Sequence, residues 1–125
     1  MNKPRILVID DEEIVRISCG KCLAPEGYHV DAAANGAEGL RLTRENDYDL
    51  ILTDLNMPDM DGLEFLTTMK ETQSEAKVIM ITGYSTGEHA AEASRLGAYD
   101  YIEKPFTPDT LIAAVKGALQ GKKNK

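Results

Sequence analysis

The sequence predicts an open α/β fold, with a parallel sheet covered by helices on both faces. Two observations carry that prediction. Short apolar runs alternate with helix-length segments five times along the 125 residues. Four of the runs also stop on residues that carry chemistry: Arg5-Ile6-Leu7-Val8-Ile9 on Asp10-Asp11, Asp49-Leu50-Ile51-Leu52-Thr53 on Asp54, Val78-Ile79-Met80-Ile81 on Thr82, and Tyr99-Asp100-Tyr101-Ile102-Glu103 on Lys104. Continuous apolar runs are the signature of strands buried on both faces. Strands alternating with helices build βα units with right-handed crossovers.

Each element has a local cause. The first strand, about 5–10, leads into a helix that Pro25-Glu26-Gly27 ends. The second strand, about 28–33, precedes Asn35-Gly36-Ala37-Glu38, where Asn35 caps a helix and Glu38 completes a capping box. That helix carries Leu40 and Leu42 and ends near Asn46. After the third strand, Met57-Pro58-Asp59-Met60-Asp61-Gly62 is a turn-rich loop, with Asp61 as the cap of a helix bearing Leu63, Leu66 and Met69. The fourth strand spans about 77–81. Ser85-Thr86-Gly87-Glu88 reads as a second capping box for an alanine-rich helix, which Gly97 stops after Leu96. Thr107-Pro108-Asp109 opens the last helix with a cap, a proline at the first position and an acid against the dipole. Leu111, Ile112, Val115 and Leu119 stripe its inner face. Residues 1–120 form one domain, and 121–125 read as a flexible basic tail.

The second run, Tyr28-His29-Val30-Asp31-Ala32, is the most polar and is expected at a sheet edge. The third, fourth and fifth runs are mostly apolar, as interior strands are. Together these fit a flavodoxin-like (βα)5 three-layer sandwich with strand order 2-1-3-4-5, which sets the first and third strands side by side. Ligands of such sheets bind outside the carboxyl ends of the strands. Three carboxylates, a hydroxyl and an ammonium are then gathered at one crevice, a constellation suited to Mg²⁺ and a phosphoryl group.

Composition excludes several classes. Fourteen Lys and Arg against twenty-one Asp and Glu give a net charge of −7, which argues against a nucleic-acid or anionic-membrane surface. No apolar run approaches the ~20 residues of a membrane span, and the polar start has no signal-peptide core, so a cytoplasmic location is expected. Cys19 and Cys22 form a Cys-x-x-Cys pair in mid-helix with no second pair for zinc. Val15, Cys19, Cys22 and Leu23 share a helical face, so the pair reads as core packing. His29 and His89 lack ligand partners in sequence and read as solvent-facing.

The fragments Val-Ile-Asp-Asp, Leu-Thr-Asp-Leu-Asn-Met-Pro-Asp-Met-Asp-Gly, Ile-Thr-Gly and Lys-Pro-Phe, in this order over residues 5 to about 120, resemble the receiver domain of two-component response regulators. The resemblance implies that Asp54 accepts a phosphoryl group from the phosphohistidine of a sensor histidine kinase or phosphotransfer protein. It implies Mg²⁺ held directly by Asp11, Asp54 and the backbone carbonyl of Asn56, with Asp10 acting through a water. Thr82 and Lys104 would meet phosphoryl oxygens, Tyr101 matches the switch aromatic, and Lys104-Pro105 resembles the family's cis peptide. The output surface would be the face of the fourth helix, fifth strand and fifth helix, read by a downstream protein or output domain, with the protein a monomer or a phosphorylation-dependent dimer. Tyr84, two residues beyond Thr82, is large enough to shield the acyl phosphate from water. Such a domain is a signalling phosphoacceptor that catalyses only its own phosphorylation and dephosphorylation.

Three alternatives share some of these features. A haloacid-dehalogenase-like phosphatase also uses a strand-end Asp with Mg²⁺, but carries a second Asp two residues on, where this chain has Asn56. A flavodoxin would bind a flavin phosphate at the first loop, which here is acidic, Asp10-Asp11-Glu12-Glu13. A degenerate receiver used only for docking would lack part of the acceptor site, and here none is missing.

Overall fold

The computed structural model describes residues 3–72, 75–83 and 87–121, the side chains of 87–90 and 121 excepted. The elements are β1 (Arg5–Ile9), α1 (Glu13–Leu23), β2 (His29–Ala33), α2 (Gly36–Glu45), β3 (Leu50–Asp54), α3 (Gly62–Met69), β4 (Lys77–Thr82), α4 (Gly87–Arg95), β5 (Asp100–Glu103) and α5 (Pro108–Gly121), with a 3₁₀ turn at Ala24–Glu26 after α1. All strand pairings are parallel, and the order is β2-β1-β3-β4-β5. This is the flavodoxin-like three-layer sandwich.

Successive side chains of a strand point to opposite faces, and the core divides accordingly. On one face Leu7, Ile9, Ile51, Val78 and Met80 pack with Phe65, Leu66 and Met69 of α3 and Ala93 of α4. On the other, Ile6, Val8, Leu50, Leu52, Ile79 and Ile81 pack with Cys19 and Leu23 of α1 and Leu111, Val115 and Ala118 of α5. Phe65 is fully buried, and truncating such a ring costs roughly 3–5 kcal/mol.

The polar second strand is an edge, as its composition predicts. The fifth, although mostly apolar like the interior strands, is the opposite edge, as the order 2-1-3-4-5 requires, with Asp100 and Glu103 exposed and Ile102 buried. Its apolar residues are explained by the helices that cover it, because Tyr101 packs into one core layer and Ile102 into the other.

The local stops and starts follow their residues. Gly27 and Gly97 adopt φ of 96° and 107°, the left-handed conformation that ends helices. Asn35 Oδ1 accepts from the Glu38 N–H at 2.8 Å, and Glu38 Oε1 reaches back to the Ala34 N–H at 2.8 Å. The Thr107 hydroxyl accepts from the Thr110 N–H at 3.1 Å. The helix α5 includes Gly121, where the sequence suggested a tail. Residues 122–125, the Ser85-Thr86 half of the second capping box, Tyr84 and the side chain of His89 lie outside the described residues. No helix among the described residues is long and apolar enough to cross a membrane.

Candidate functional site

Strand register assembles the site. Ile9 of β1 pairs with Thr53 of β3, Asp54 with Ile81 of β4, and Thr82 with Glu103 of β5. The residues at or just beyond these pairs are Asp10, Asp54, Thr82 and Lys104, so four neighbouring strand ends present them at one edge. Two backbone bonds hold that edge together, from the Leu55 N–H to the Ile81 carbonyl at 3.2 Å and from the Lys104 N–H to the Thr82 carbonyl at 2.8 Å. The Lys104-Pro105 peptide is cis, as the sequence suggested.

Lys104 is the centre of the cluster. Its Nζ lies 2.9 Å from Asp10 Oδ2, 2.9 Å from Glu12 Oε1 and 3.1 Å from Asp54 Oδ2. Burial pulls the Lys104 pKa down, but the carboxylates of Glu12, Asp10 and Asp54 together outweigh it and hold the ammonium above the usual lysine range. Burial pushes the Asp10 carboxyl up, against the opposing pull of the Glu12 N–H and of Lys104. Glu12 is held down, chiefly by its hydrogen bond to Lys104.

The backbone around these acids is fixed. Asp10 Oδ1 accepts from the Glu12 N–H at 2.9 Å, and the Asp10 carbonyl accepts from Arg16 Nη1 at 2.7 Å. Asp54 Oδ1 accepts from the Asn56 N–H at 3.1 Å. Asp61 caps α3 through the Glu64 N–H at 2.7 Å. A Cβ built on Gly62 would lie 2.6 Å from the Asp54 carbonyl oxygen and 2.9 Å from Leu55 Cα, so only glycine lets α3 start against this strand end.

The donor set fits a hard divalent cation. Oxygens of Asp10, Glu12 and Asp54 all lie within 4.8 Å of one another. Three carboxylates face one ammonium, leaving two negative charges uncompensated, and such clusters are relieved by a cation with oxygen ligands. Asp10 Oδ2 is buried and receives no hydrogen bond of good geometry, so its contact with Lys104 is a charge pair only. An oxygen in that condition is a poor resting state without further positive charge.

The structure thus brings together Asp10, Asp54, Thr82 and Lys104 of the predicted residues. Asp54 and Thr82 are buried, Asn56 is exposed beside Asp54, and Tyr101 is half-buried on β5. Asp11 is exposed and is not one of the three clustered acids. Glu12 takes part instead, and sequence reasoning passed over it. The available signal was spacing: Glu12 is extended (φ −93°, ψ 116°), and alternate residues of extended chain share a side.

Two further sequence readings are resolved. Cys19 is buried, which pushes its thiol up to about 12, the state of an inert core residue. His29 is half exposed but not alone, because its Nε2 lies 3.1 Å from Asp31 Oδ1.

Comparison with known proteins agrees with the site. The response regulator receiver domain family matches residues 6–116, and the chain belongs to that family. It is 40% identical over 116 residues to Regulatory protein AtoC of Escherichia coli (strain K12), covering 93% of this chain and 25% of that protein. It is 36% identical to Sporulation initiation phosphotransferase F of Bacillus subtilis (strain 168), covering 99% of this chain and all of that protein. The chain therefore spans about a quarter of one relative and the whole of the other.

Among solved structures it resembles a CheY-like receiver domain protein from Methanospirillum hungatei JF-1, with TM-score 0.94, 34% identity and 98% of each chain covered. It also resembles response regulator TrrA of Thermotoga maritima in complex with Mg²⁺-BeF, with TM-score 0.83, 36% identity, and 93% of this chain and 99% of that one covered. The family match sets aside the phosphatase alternative.

Proposed function

We propose that Asp54 accepts a phosphoryl group from the phosphohistidine of a sensor histidine kinase or phosphotransfer protein, and that the resulting acyl phosphate is a cytoplasmic signal. The observation that carries this is the Lys104 ammonium 3.1 Å from Asp54 Oδ2, inside a ring of acids at adjacent strand ends. An Asp54 carboxylate oxygen forms a bond to phosphorus as the phosphorus–nitrogen bond breaks, and the imidazole keeps the electron pair. Hydrolysis removes the group: a water oxygen bonds to phosphorus, the bond to Asp54 breaks and returns its electron pair to the carboxylate, and inorganic phosphate leaves.

An anion attacking an anion is opposed by charge, and electrostatic stabilisation supplies most of the catalysis in phosphoryl transfer. Lys104 neutralises one phosphoryl oxygen, and the Thr82 hydroxyl donates to another. Mg²⁺ would be held by Asp10, Asp11, Asp54 and the Asn56 carbonyl, with Glu12 at the rim. When bound it supplies positive charge to the transferring phosphoryl group. The domain acts on no separate substrate and needs neither nucleic acid nor membrane.

The readout follows from the same bonds. Drawing Thr82 and Lys104 toward the phosphoryl group moves the ends of β4 and β5, and Tyr101 shifts with them, biasing a pre-existing equilibrium. The face of α4, β5 and α5 then meets a downstream protein or an output domain, with the protein a monomer or a phosphorylation-dependent dimer. The donor approaches from the other side. A groove of about 410 Å³ lined by Ile14, Val15, Lys104 and Phe106 opens beside Lys104, and the exposed Ile14 gives it an apolar wall.

Acetyl phosphate with Mg²⁺ tests the acceptor. One phosphoryl group should be added, as read by intact-mass spectrometry, and Asp54→Asn or EDTA should prevent it. Equal labelling of Asp54→Asn would sink the assignment.

A further inference from the structure

We propose that Glu12 is a positioning residue that holds Lys104 in reserve and thereby sets how readily Asp54 is phosphorylated; this rests on the reading of Asp54 as the acceptor. An ammonium has three protons to give. In this structure Lys104 faces three carboxylates, Glu12, Asp10 and Asp54, at 2.9, 2.9 and 3.1 Å. Two of the protons go to Glu12 and Asp54, and the Asp10 contact is a charge pair. When a phosphoryl group on Asp54 draws the ammonium toward its own oxygens, the hold of Asp10 or of Glu12 therefore has to loosen.

Burial decides which. The side chains of Asp10 and Asp54 are 2% and 8% exposed, and Glu12 is 56% exposed. Stripping a partner from a buried carboxylate is costly, whereas water replaces the partner of an exposed one. Glu12 is therefore the contact that is released.

Its placement supports the role independently. Glu12 occupies the N-cap position of α1, yet its side chain makes no capping hydrogen bond. Instead it reaches Lys104, 92 residues away in sequence. Its backbone is pinned by the bond from its N–H to Asp10 Oδ1 and by the Val15 and Arg16 N–H groups on its carbonyl. The carboxylate is thus presented to the ammonium from a fixed base. While the pair is closed it stabilises the unphosphorylated state, and the barrier to phosphorylation includes opening it.

The test compares Glu12→Gln with Glu13→Gln. Both remove one charge from the same turn, but Glu13 has no contact with Lys104 among the described interactions. Initial rates of phosphorylation by acetyl phosphate at saturating Mg²⁺ should rise roughly two- to fivefold in Glu12→Gln, the scale of one exposed ion pair. Glu13→Gln should stay near wild type. Calorimetric Mg²⁺ titration of the unphosphorylated proteins gives a second readout, and the acceleration in Glu12→Gln should persist at saturating Mg²⁺ whatever affinity the loss of one rim carboxylate costs.

Equal acceleration by both variants would mean that Glu12 merely repels the anionic donor, and would overturn the proposal. So would a slower Glu12→Gln with weakened Mg²⁺ binding, which would make Glu12 a metal-holding residue. Wild type that is not labelled at Asp54 would instead defeat the underlying reading of the acceptor.

Discussion

At the scale of single residues, Lys104 has two jobs that pull in different directions. It neutralises Asp10 and Asp54 in the absence of metal, and under the proposed function it must also be available to a phosphoryl oxygen. Lys104→Ala should separate them. Without Mg²⁺ the variant leaves two buried carboxylates facing each other, and removing one partner of a buried pair costs on the order of 3 kcal/mol. With Mg²⁺ most of that loss should return, because the ion binds the native state alone and no ammonium repels it. Thermal melts with and without Mg²⁺ check this: the metal-induced rise in Tm should exceed that of wild type, while labelling by acetyl phosphate is slowed. A variant that melts like wild type without metal would contradict the role. Asp10, Asp54, Thr82 and Lys104 were legible in the sequence because each follows an apolar run whose end fixes its place. Glu12 was not, because its role is set by a partner from the far end of the chain. The His29–Asp31 contact was missed for a related reason: residues two apart on a strand share a face, and an edge strand leaves that face open to long side chains.

At the scale of elements, the loop between β3 and α3 is stapled to a helix that precedes it. Asp59 accepts from the Gly36 and Ala37 N–H groups at 3.0 and 2.8 Å, and these bonds hold its carboxyl below the usual range. Met60 packs where a side chain on Gly36 would have to go. The first turn of α2 therefore has two caps, its own Asn35 and one from another loop. Asp59→Ala should cost about 1 kcal/mol, as loss of a cap does, while Asp59→Asn should retain most of it. Urea unfolding measures the difference, and amide exchange should locate the loosening at Gly36 and Ala37. Exchange unchanged there would show that the staple carries no stability. The local caps at Asn35, Asp61 and Thr107 were readable from residue spacing. The Asp59 cap was not, since nothing within its own segment announces a helix 23 residues earlier.

At the scale of the whole molecule, the candidate site lies at one end of the sheet and a different polar network closes the other. Near the amino ends of β1 and β2, Asp31 Oδ2 accepts from the Tyr48 hydroxyl at 2.7 Å and from Arg5 at 3.2 Å, with His29 on its other oxygen. The Arg5 N–H is bound to Asp49 at 2.8 Å, and Arg5 also stacks 5.5 Å from the Tyr48 ring centre. Burial raises the Asp31 pKa, but Tyr48, His29 and Arg5 together bring it below the ordinary carboxylate value. A lowered folded pKa gives stability that is complete above the unfolded value, about 4, and is lost as pH falls through the folded one. Asp31→Asn should therefore be less stable than wild type at neutral pH, and the gap should close in strong acid. Denaturation midpoints across pH 2–7 read this, and a gap independent of pH would exclude the mechanism. The strand order was legible because the polarity of β2 marks an edge. The composition of β5 did not by itself mark it as the other edge, because helices cover that margin and let apolar residues occupy it. The close approach at Gly62 adds a consequence of a different kind. Residue 62 carries no charge and touches no ligand, yet α3 begins within van der Waals contact of the backbone that carries Asp54. A single methyl group there would wedge the helix off the strand by several tenths of an ångström, and displacements of that order are felt steeply in phosphoryl transfer. Gly62→Ala is thus expected to be a steric off-switch, with a protein that keeps its circular dichroism and all its acids but is labelled by acetyl phosphate many times more slowly.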